Sequence, residues 1–143
     1  MNTPLILLVE DDLNDVFFFQ RAVKKAGADH AIQVARDGQE AVAYLSGEGQ
    51  FADRKKYRLP CLVVLDLNMP GKNGFEVLEW LRKTPPFDTL PVAVLTSSQA
   101  EKDRQRACDL GAKAYYVKPS DPAKLVDLLK QMIIGCLGAG CSV

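Results

Sequence analysis

Four short stretches of this chain carry side chains that could do chemistry together: Glu10-Asp11-Asp12, the isolated Asp66, Thr96-Ser97, and Lys118-Pro119. Carboxylate oxygens with water are the ligand set of a hard divalent cation such as Mg²⁺, which commonly binds one or two carboxylates together with a phosphate. Acids gathered at one place repel. At about 5 Å and an effective dielectric of about 20, each pair costs roughly 3 kcal/mol. Lys118 can supply part of the compensating charge, and a metal beside it would supply more. Taken singly, each acid or hydroxyl has a plainer role, solvating a strand end or capping a helix. That role accounts poorly for all of them at once.

The elements that must position these residues are legible from hydrophobic runs. Leu5 to Val9 and Cys61 to Leu65 are unbroken apolar stretches, each ended by an acid, as strands buried on both faces require. Ile32 to Ala35, Val92 to Leu95 and the weaker Tyr115 to Val117 bring the strands to five. Helical segments separate them. Asn14 can cap the first, with a buried stripe of Val16, Phe19 and Val23 and an end at Gly27. Asp37 with Glu40, Asn73 with Glu76, and Ser98 with Glu101 have capping-box spacing. Asp121-Pro122 opens the last helix, striped by Leu125, Leu128, Leu129 and Met132. Strict alternation predicts an α/β fold, a doubly wound five-stranded parallel sheet with five helices. In such a sheet ligands bind beyond the carboxyl ends of the strands, where these acids, hydroxyls and Lys118 fall.

Composition bounds what else the chain does. Of 143 residues 48% are apolar and 25% charged, which suits one globular domain with a real core. The 18 Lys+Arg balance 18 Asp+Glu, so the basic excess of a nucleic-acid binder is missing. The basic cluster Arg54, Lys55, Lys56 and Arg58 reads as a solvated loop. No apolar run approaches the roughly 18 to 20 residues of a membrane helix, and no basic region precedes Leu5, so no membrane contact and a cytoplasmic location are expected. Cys61, Cys108, Cys136 and Cys141 lack paired metal spacing, and His30 is the one histidine, so reduced thiols are expected. Only Cys136 and Cys141 leave an opening for redox or metal chemistry. Residues 46–60 form a long polar connection of the kind that is often functional or mobile. Trp80, at helical spacing with Val77, Leu78 and Leu81, belongs to the core. The glycines beyond residue 134 suggest a flexible tail, giving a domain over 1–134, a tail over 135–143, and no residues for an output domain.

Val9-Glu10-Asp11-Asp12, Leu65-Asp66-Leu67-Asn68-Met69-Pro70-Gly71 with Gly74, Leu95-Thr96-Ser97 and Tyr115-Tyr116-Val117-Lys118-Pro119 resemble, in order and spacing, the motifs of the receiver domain of two-component response regulators. The resemblance runs from about Leu5 to Ile134 and implies a flavodoxin-like architecture. It implies that Asp66 is the phosphoacceptor, a carboxylate nucleophile that takes a phosphoryl group from a histidine. Asp11 would bind Mg²⁺ directly and Glu10 largely through water, with Asp66 and the main-chain carbonyl of Asn68 completing the set. Lys118 and Thr96, next to Ser97, would contact phosphoryl oxygens, while Asp12 opens the first helix. The resemblance further implies a cis Lys118–Pro119 bond, an isomer costing an X-Pro peptide only about 0.5–1 kcal/mol. Tyr115 would be a switch aromatic moving as Thr96 responds to phosphate; alternatively it is a plain half-buried strand tyrosine.

Partners implied are a sensor histidine kinase or a histidine phosphotransfer protein. The long 46–60 connection and the acidic opening resemble standalone regulators that partner phytochrome kinases. Output would be altered contact on the face of the fourth helix, fifth strand and fifth helix. Ile133, Ile134 and Leu137 beside that face suggest a homodimer. Two other readings compete. One is a phosphorylation-independent pseudo-receiver. The other is a Mg²⁺-dependent phosphohydrolase with an aspartate nucleophile, for which Asn68 stands where a second acid is needed. The chain is thus expected to be a self-phosphorylating acceptor and not a multiple-turnover enzyme.

Overall fold

The computed structural model describes residues 4–69 and 73–137. Five strands, β1 (Leu5–Val9), β2 (Ala31–Ala35), β3 (Leu62–Leu65), β4 (Val92–Thr96) and β5 (Ala114–Val117), alternate with α1 (Leu13–Lys25), α2 (Gly38–Ser46), α3 (Gly74–Arg82), α4 (Glu101–Asp109) and α5 (Pro122–Leu137). The sheet order is β2-β1-β3-β4-β5, and every pairing is parallel. The predicted doubly wound fold is therefore the observed one, with strand limits displaced by a residue.

Side-chain alternation along the strands divides the core in two. Leu7, Val9, Val63, Leu65, Val92 and Val94 face the layer of α2, α3 and α4, where they meet Tyr44, Leu78, Leu81 and Ala107. Ile6, Leu8, Leu62, Val64, Ala93 and Leu95 face α1 and α5, meeting Phe19, Val23, Leu129 and Met132. Because both faces are covered, β1 and β3 are apolar at every position, β4 at every position but its last, Thr96, and all three are buried throughout.

Two helix starts differ from their expected caps for local reasons. Asp12, not Asn14, caps α1: its Oδ1 accepts from the Asn14 N–H at 2.8 Å and from Asp15 N–H at 3.3 Å. A carboxylate acceptor suits the positive end of a helix better than an amide does, and it starts α1 two residues closer to β1. The Asn73–Glu76 capping box is complete, and the Asp37 carboxylate accepts from Glu40 N–H at 2.8 Å. Ser98 does not cap α4, which begins behind Ala100 without a side-chain cap; Ser98 Oγ donates instead to Asp103 at 2.6 Å. Asp121 accepts from Ala123 N–H at 2.9 Å at the start of α5.

The 46–60 connection is not a loose loop. It makes a short 3-10 turn at Gly49–Phe51, and Phe51 packs edge-on against Tyr44 and Tyr57 at 5.1 and 5.2 Å between ring centres. Arg54, taken from sequence as solvated, donates to the carbonyls of Leu45 at 2.5 Å and Tyr57 at 3.2 Å. The Tyr44 hydroxyl donates to the Arg58 carbonyl at 2.5 Å. Polar composition concealed three aromatic rings that supply the segment with a small core of its own. Trp80 is half-buried, stacked on Phe87 at 5.8 Å.

α5 continues through Gly135 to Leu137, past the expected start of the tail. Gly135 faces open space, and a single glycine in an exposed last turn costs only about 1 kcal/mol, which a packed helix absorbs. Pro70, Gly71 and Cys141, which the sequence reading singled out, lie outside the described residues. Cys61 and Cys108 form no disulfide among the described residues. Among the described residues no helix is long and apolar enough to cross a membrane.

Candidate functional site

Strand register assembles the site. β1 and β3 run side by side with Val9 opposite Leu65, so the residues that follow, Glu10 and Asp66, emerge together at the carboxyl edge. The Asp66 N–H closes the ladder on the Val9 carbonyl at 3.1 Å, and Glu10 N–H does the same on Ala35 at 2.9 Å. β4 and β5 pair Thr96 with Val117, and Lys118 N–H donates to the Thr96 carbonyl at 2.8 Å, which aims Lys118 along the same edge. β1 lies between β2 and β3, so this is the topological switch point where open α/β sheets bind ligands.

Glu10 is 3% exposed, Asp66 5% and Thr96 0%, while Asp11 is open to solvent. One carboxylate oxygen from each of Glu10, Asp11 and Asp66 lies within 4.8 Å of the others. An all-oxygen set with one exposed member fits a hard divalent cation that keeps several waters. Burial, opposed by the Lys118 hydrogen bond and reinforced by the neighbouring Asp66 charge, pushes the Glu10 carboxyl up to about 7. The site therefore disfavours its own negative charge until a cation offsets it.

Lys118 is that cation within the protein. Its Nζ lies 2.7 Å from Glu10 Oε1, 2.9 Å from Asp66 Oδ2 and 2.7 Å from Asp15 Oδ2. Burial works against the ammonium, yet hydrogen bonds to Asp15, Glu10 and Asp66 outweigh it and raise its pKa. Asp15 escaped the sequence reading. The signal that finds it is its place three residues after the cap Asp12, in the first turn of α1.

The remaining candidates fall around this centre. Asn68 N–H donates to Asp66 Oδ1 at 3.1 Å, and its side-chain amide lies 3.5 Å from Thr96 Oγ1. The Thr96 hydroxyl also accepts from Ser98 N–H at 3.4 Å, while Ser97 is exposed at the end of β4. Tyr115 stands farther off and half-buried, donating to the Ser98 carbonyl at 3.0 Å beneath the Arg104 guanidinium, 4.7 Å from its ring centre. Asp12 is a helix cap and not a member of the metal cluster. One expectation is corrected: the Lys118–Pro119 bond is trans, and the cis bond among the described residues is Pro85–Pro86. Trans is the lower-energy isomer of an X-Pro bond, and Lys118 reaches all three carboxylates with it.

Fold, switch-point acids, buried threonine and lysine define a class, and residues 6–130 match the model of the response regulator receiver domain. The chain belongs to that family. It is 36% identical over 132 residues to response regulator Rcp1 of Synechocystis, covering 92% of this chain and 86% of Rcp1. Among solved structures it is similar to the phosphorylated cyanobacterial phytochrome response regulator RcpA, with a TM-score of 0.86 and 34% identity over 95% of each chain. The Mn²⁺-bound form of Rcp1 gives a TM-score of 0.81 at 33% identity, covering 92% of each chain. Response regulator RPA3017, from red light signalling in R. palustris, gives 0.87 at 30% identity, also over 92% of each.

Proposed function

We propose that this chain accepts a phosphoryl group on Asp66 from a histidine of a two-component partner and passes the signal on by changed protein contact. The observation that carries this reading is the Asp66 carboxylate, buried at the carboxyl end of β3, with one oxygen 2.9 Å from the Lys118 ammonium and the other bonded to Asn68 N–H. A carboxylate needs little help from a general base to act as a nucleophile, so the protein's task is positioning and charge compensation. Asp66 oxygen bonds to phosphorus as the phosphorus–nitrogen bond to histidine breaks. Lys118 and the Thr96 hydroxyl meet the phosphoryl oxygens, with Ser97 at the rim.

Mg²⁺ is the proposed ion, held by Glu10, Asp11, Asp66 and the Asn68 carbonyl, and it would neutralise charge on the transferring group. The Mn²⁺-bound relative supports a divalent ion at a site of this kind. The proposed donor is a sensor histidine kinase of the phytochrome type, supported by the descriptions of RcpA and RPA3017, or a histidine phosphotransfer protein. The proposed output surface is α4, β5 and α5, with Tyr115 and Thr96 linking it to the site and a second copy of the chain among its proposed partners. Location in the cytoplasm and the absence of multiple turnover complete the reading.

Acetyl phosphate with Mg²⁺ should add one phosphoryl group to the wild type and none to Asp66→Asn, read by intact-mass spectrometry. Equal labelling of both would overturn the assignment. An unlabelled wild type would favour a pseudo-receiver, and sustained phosphate release over many turnovers a hydrolase.

A further inference from the structure

Lys118 has three N–H bonds to donate and three carboxylates around it. Two of them, Glu10 and Asp66, belong to the reacting centre: Asp66 is the proposed acceptor, and Glu10 is among the acids that would hold the ion. The third, Asp15, belongs to neither role. It lies outside the Glu10–Asp11–Asp66 cluster and approaches the ammonium from α1, at 2.7 Å, across 103 positions of sequence. Its place is set by the backbone. Asp12 caps α1, and Asp15 N–H is one of the two donors that Asp12 ties down.

We infer that Asp15 is a positioning residue for phosphoryl transfer: it holds one N–H of Lys118 so that the other two stay aimed at the reacting centre. When Asp66 becomes an acyl phosphate, its carboxylate no longer offers the same charge to Lys118. Asp15 alone among the three partners neither takes the phosphoryl group nor belongs to the acids that would hold the ion. It can therefore hold the lysine in one orientation before and after transfer. A lysine side chain has four rotatable carbons, and without that third acceptor the ammonium would sample orientations that do not serve the phosphoryl oxygens.

A purely electrostatic role makes the opposite prediction. A fourth acid beside Glu10, Asp11 and Asp66 repels an incoming phosphate, so deleting its charge would speed the reaction. Asp15→Asn and Asp15→Ala separate the two, because both lose the charge but only the amide keeps a carbonyl oxygen to accept from Lys118. Asp15 is half exposed on its helix, so both variants should fold.

This inference rests on Asp66 being the phosphoacceptor. The test measures acetyl phosphate labelling over a range of acetyl phosphate and Mg²⁺ concentrations, for full-length wild type and both variants, with thermal melting alongside. For Asp15→Ala the maximal rate should fall about tenfold, the loss of one charge-assisted hydrogen bond, while apparent Mg²⁺ affinity stays within about twofold. Asp15→Asn should recover most of that rate. Equal rates for Asn and Ala, Asp15→Ala matching or exceeding the wild type, or Asp15→Asn exceeding it, would overturn the inference while leaving Asp66 as acceptor. A fall in rate that tracks a lost melting temperature or a lost Mg²⁺ affinity would also overturn it. A wild type that is not labelled at all would overturn the functional reading itself.

Discussion

The first residue of α3, Gly74, lies directly against the backbone of Asp66: a Cβ placed on Gly74 would fall 2.5 Å from the Asp66 carbonyl oxygen and 2.8 Å from Leu67 Cα. Gly74 N–H also donates to the Leu67 carbonyl at 3.3 Å. The helix that follows the Asp66 loop thus starts in van der Waals contact with the Asp66 peptide. Glycine is required there by space, since no neighbour in that contact is a side chain that could swing aside.

Gly74→Ala is therefore expected to push α3 and the Asp66 loop apart. Overpacking of this kind costs about 1–3 kcal/mol, and urea unfolding should show it. Labelling by acetyl phosphate should slow as well, because the Asp66 carboxylate moves relative to Lys118. Wild-type stability and rate in this variant would show that the loop yields freely.

Mg²⁺ added to the metal-free protein should stabilise it, by about 2.7 kcal/mol at a hundredfold excess over its dissociation constant. The buried Glu10 and Asp66 charges are the reason: Lys118 is their one compensating cation among the described residues, and it is shared with Asp15. Asp11→Asn should lose most of that increment, because Asp11 is the open edge of the cluster. Melting curves with Mg²⁺ and with a chelator check both statements.

Tyr44→Phe should cost about 1 kcal/mol by leaving the Arg58 carbonyl without its hydroxyl donor. Burial holds the Tyr44 hydroxyl protonated beyond its ordinary 10.0. The folded state thus keeps a proton that the unfolded chain releases, so wild-type stability falls as pH rises above 10.0. Tyr44→Phe should show a smaller fall over the same alkaline range. Denaturant titrations at neutral and alkaline pH would measure it.

Arg82→Ala should be among the more damaging changes away from the site, at about 2–4 kcal/mol. The guanidinium donates to the Leu110 carbonyl at 2.9 Å, to Gly111 at 2.8 Å, and to the Asp88 carbonyl. It ties the end of α3 to the turn that leads into β5, so Lys113 to Lys118 should gain amide exchange in the variant. Unchanged exchange across β5 would show that the strand is held by the sheet alone.

How much was legible followed from how local each signal is. Buried strands are short apolar runs, so Leu5 to Val9 and Val92 to Leu95 declared themselves, and the acids after them had to reach one edge once the strands were parallel. The aromatic cluster under the 46–60 segment is not legible in sequence because Phe51 and Tyr57 are scattered among charges and meet Tyr44 of α2 only in three dimensions. At the start of α1 the sequence offers both Asn14 as a cap and Asp12 as the opening residue, and that Asp12 serves depends on where β1 ends.

The sequence by itself determined the alternation of strands and helices, the sheet edge at which Glu10, Asp11, Asp66, Thr96 and Lys118 gather, and the class of chemistry those residue types allow. Those follow from periodicity and from covalent order, which a single chain carries openly. The tertiary structure decided that Lys118 has a third carboxylate in Asp15, that Lys118–Pro119 is trans, and that Gly74 presses on Asp66. Each depends on the distance between segments that only strand register and helix packing bring together, and hydrogen bonds and steric contacts of this kind change within an ångström.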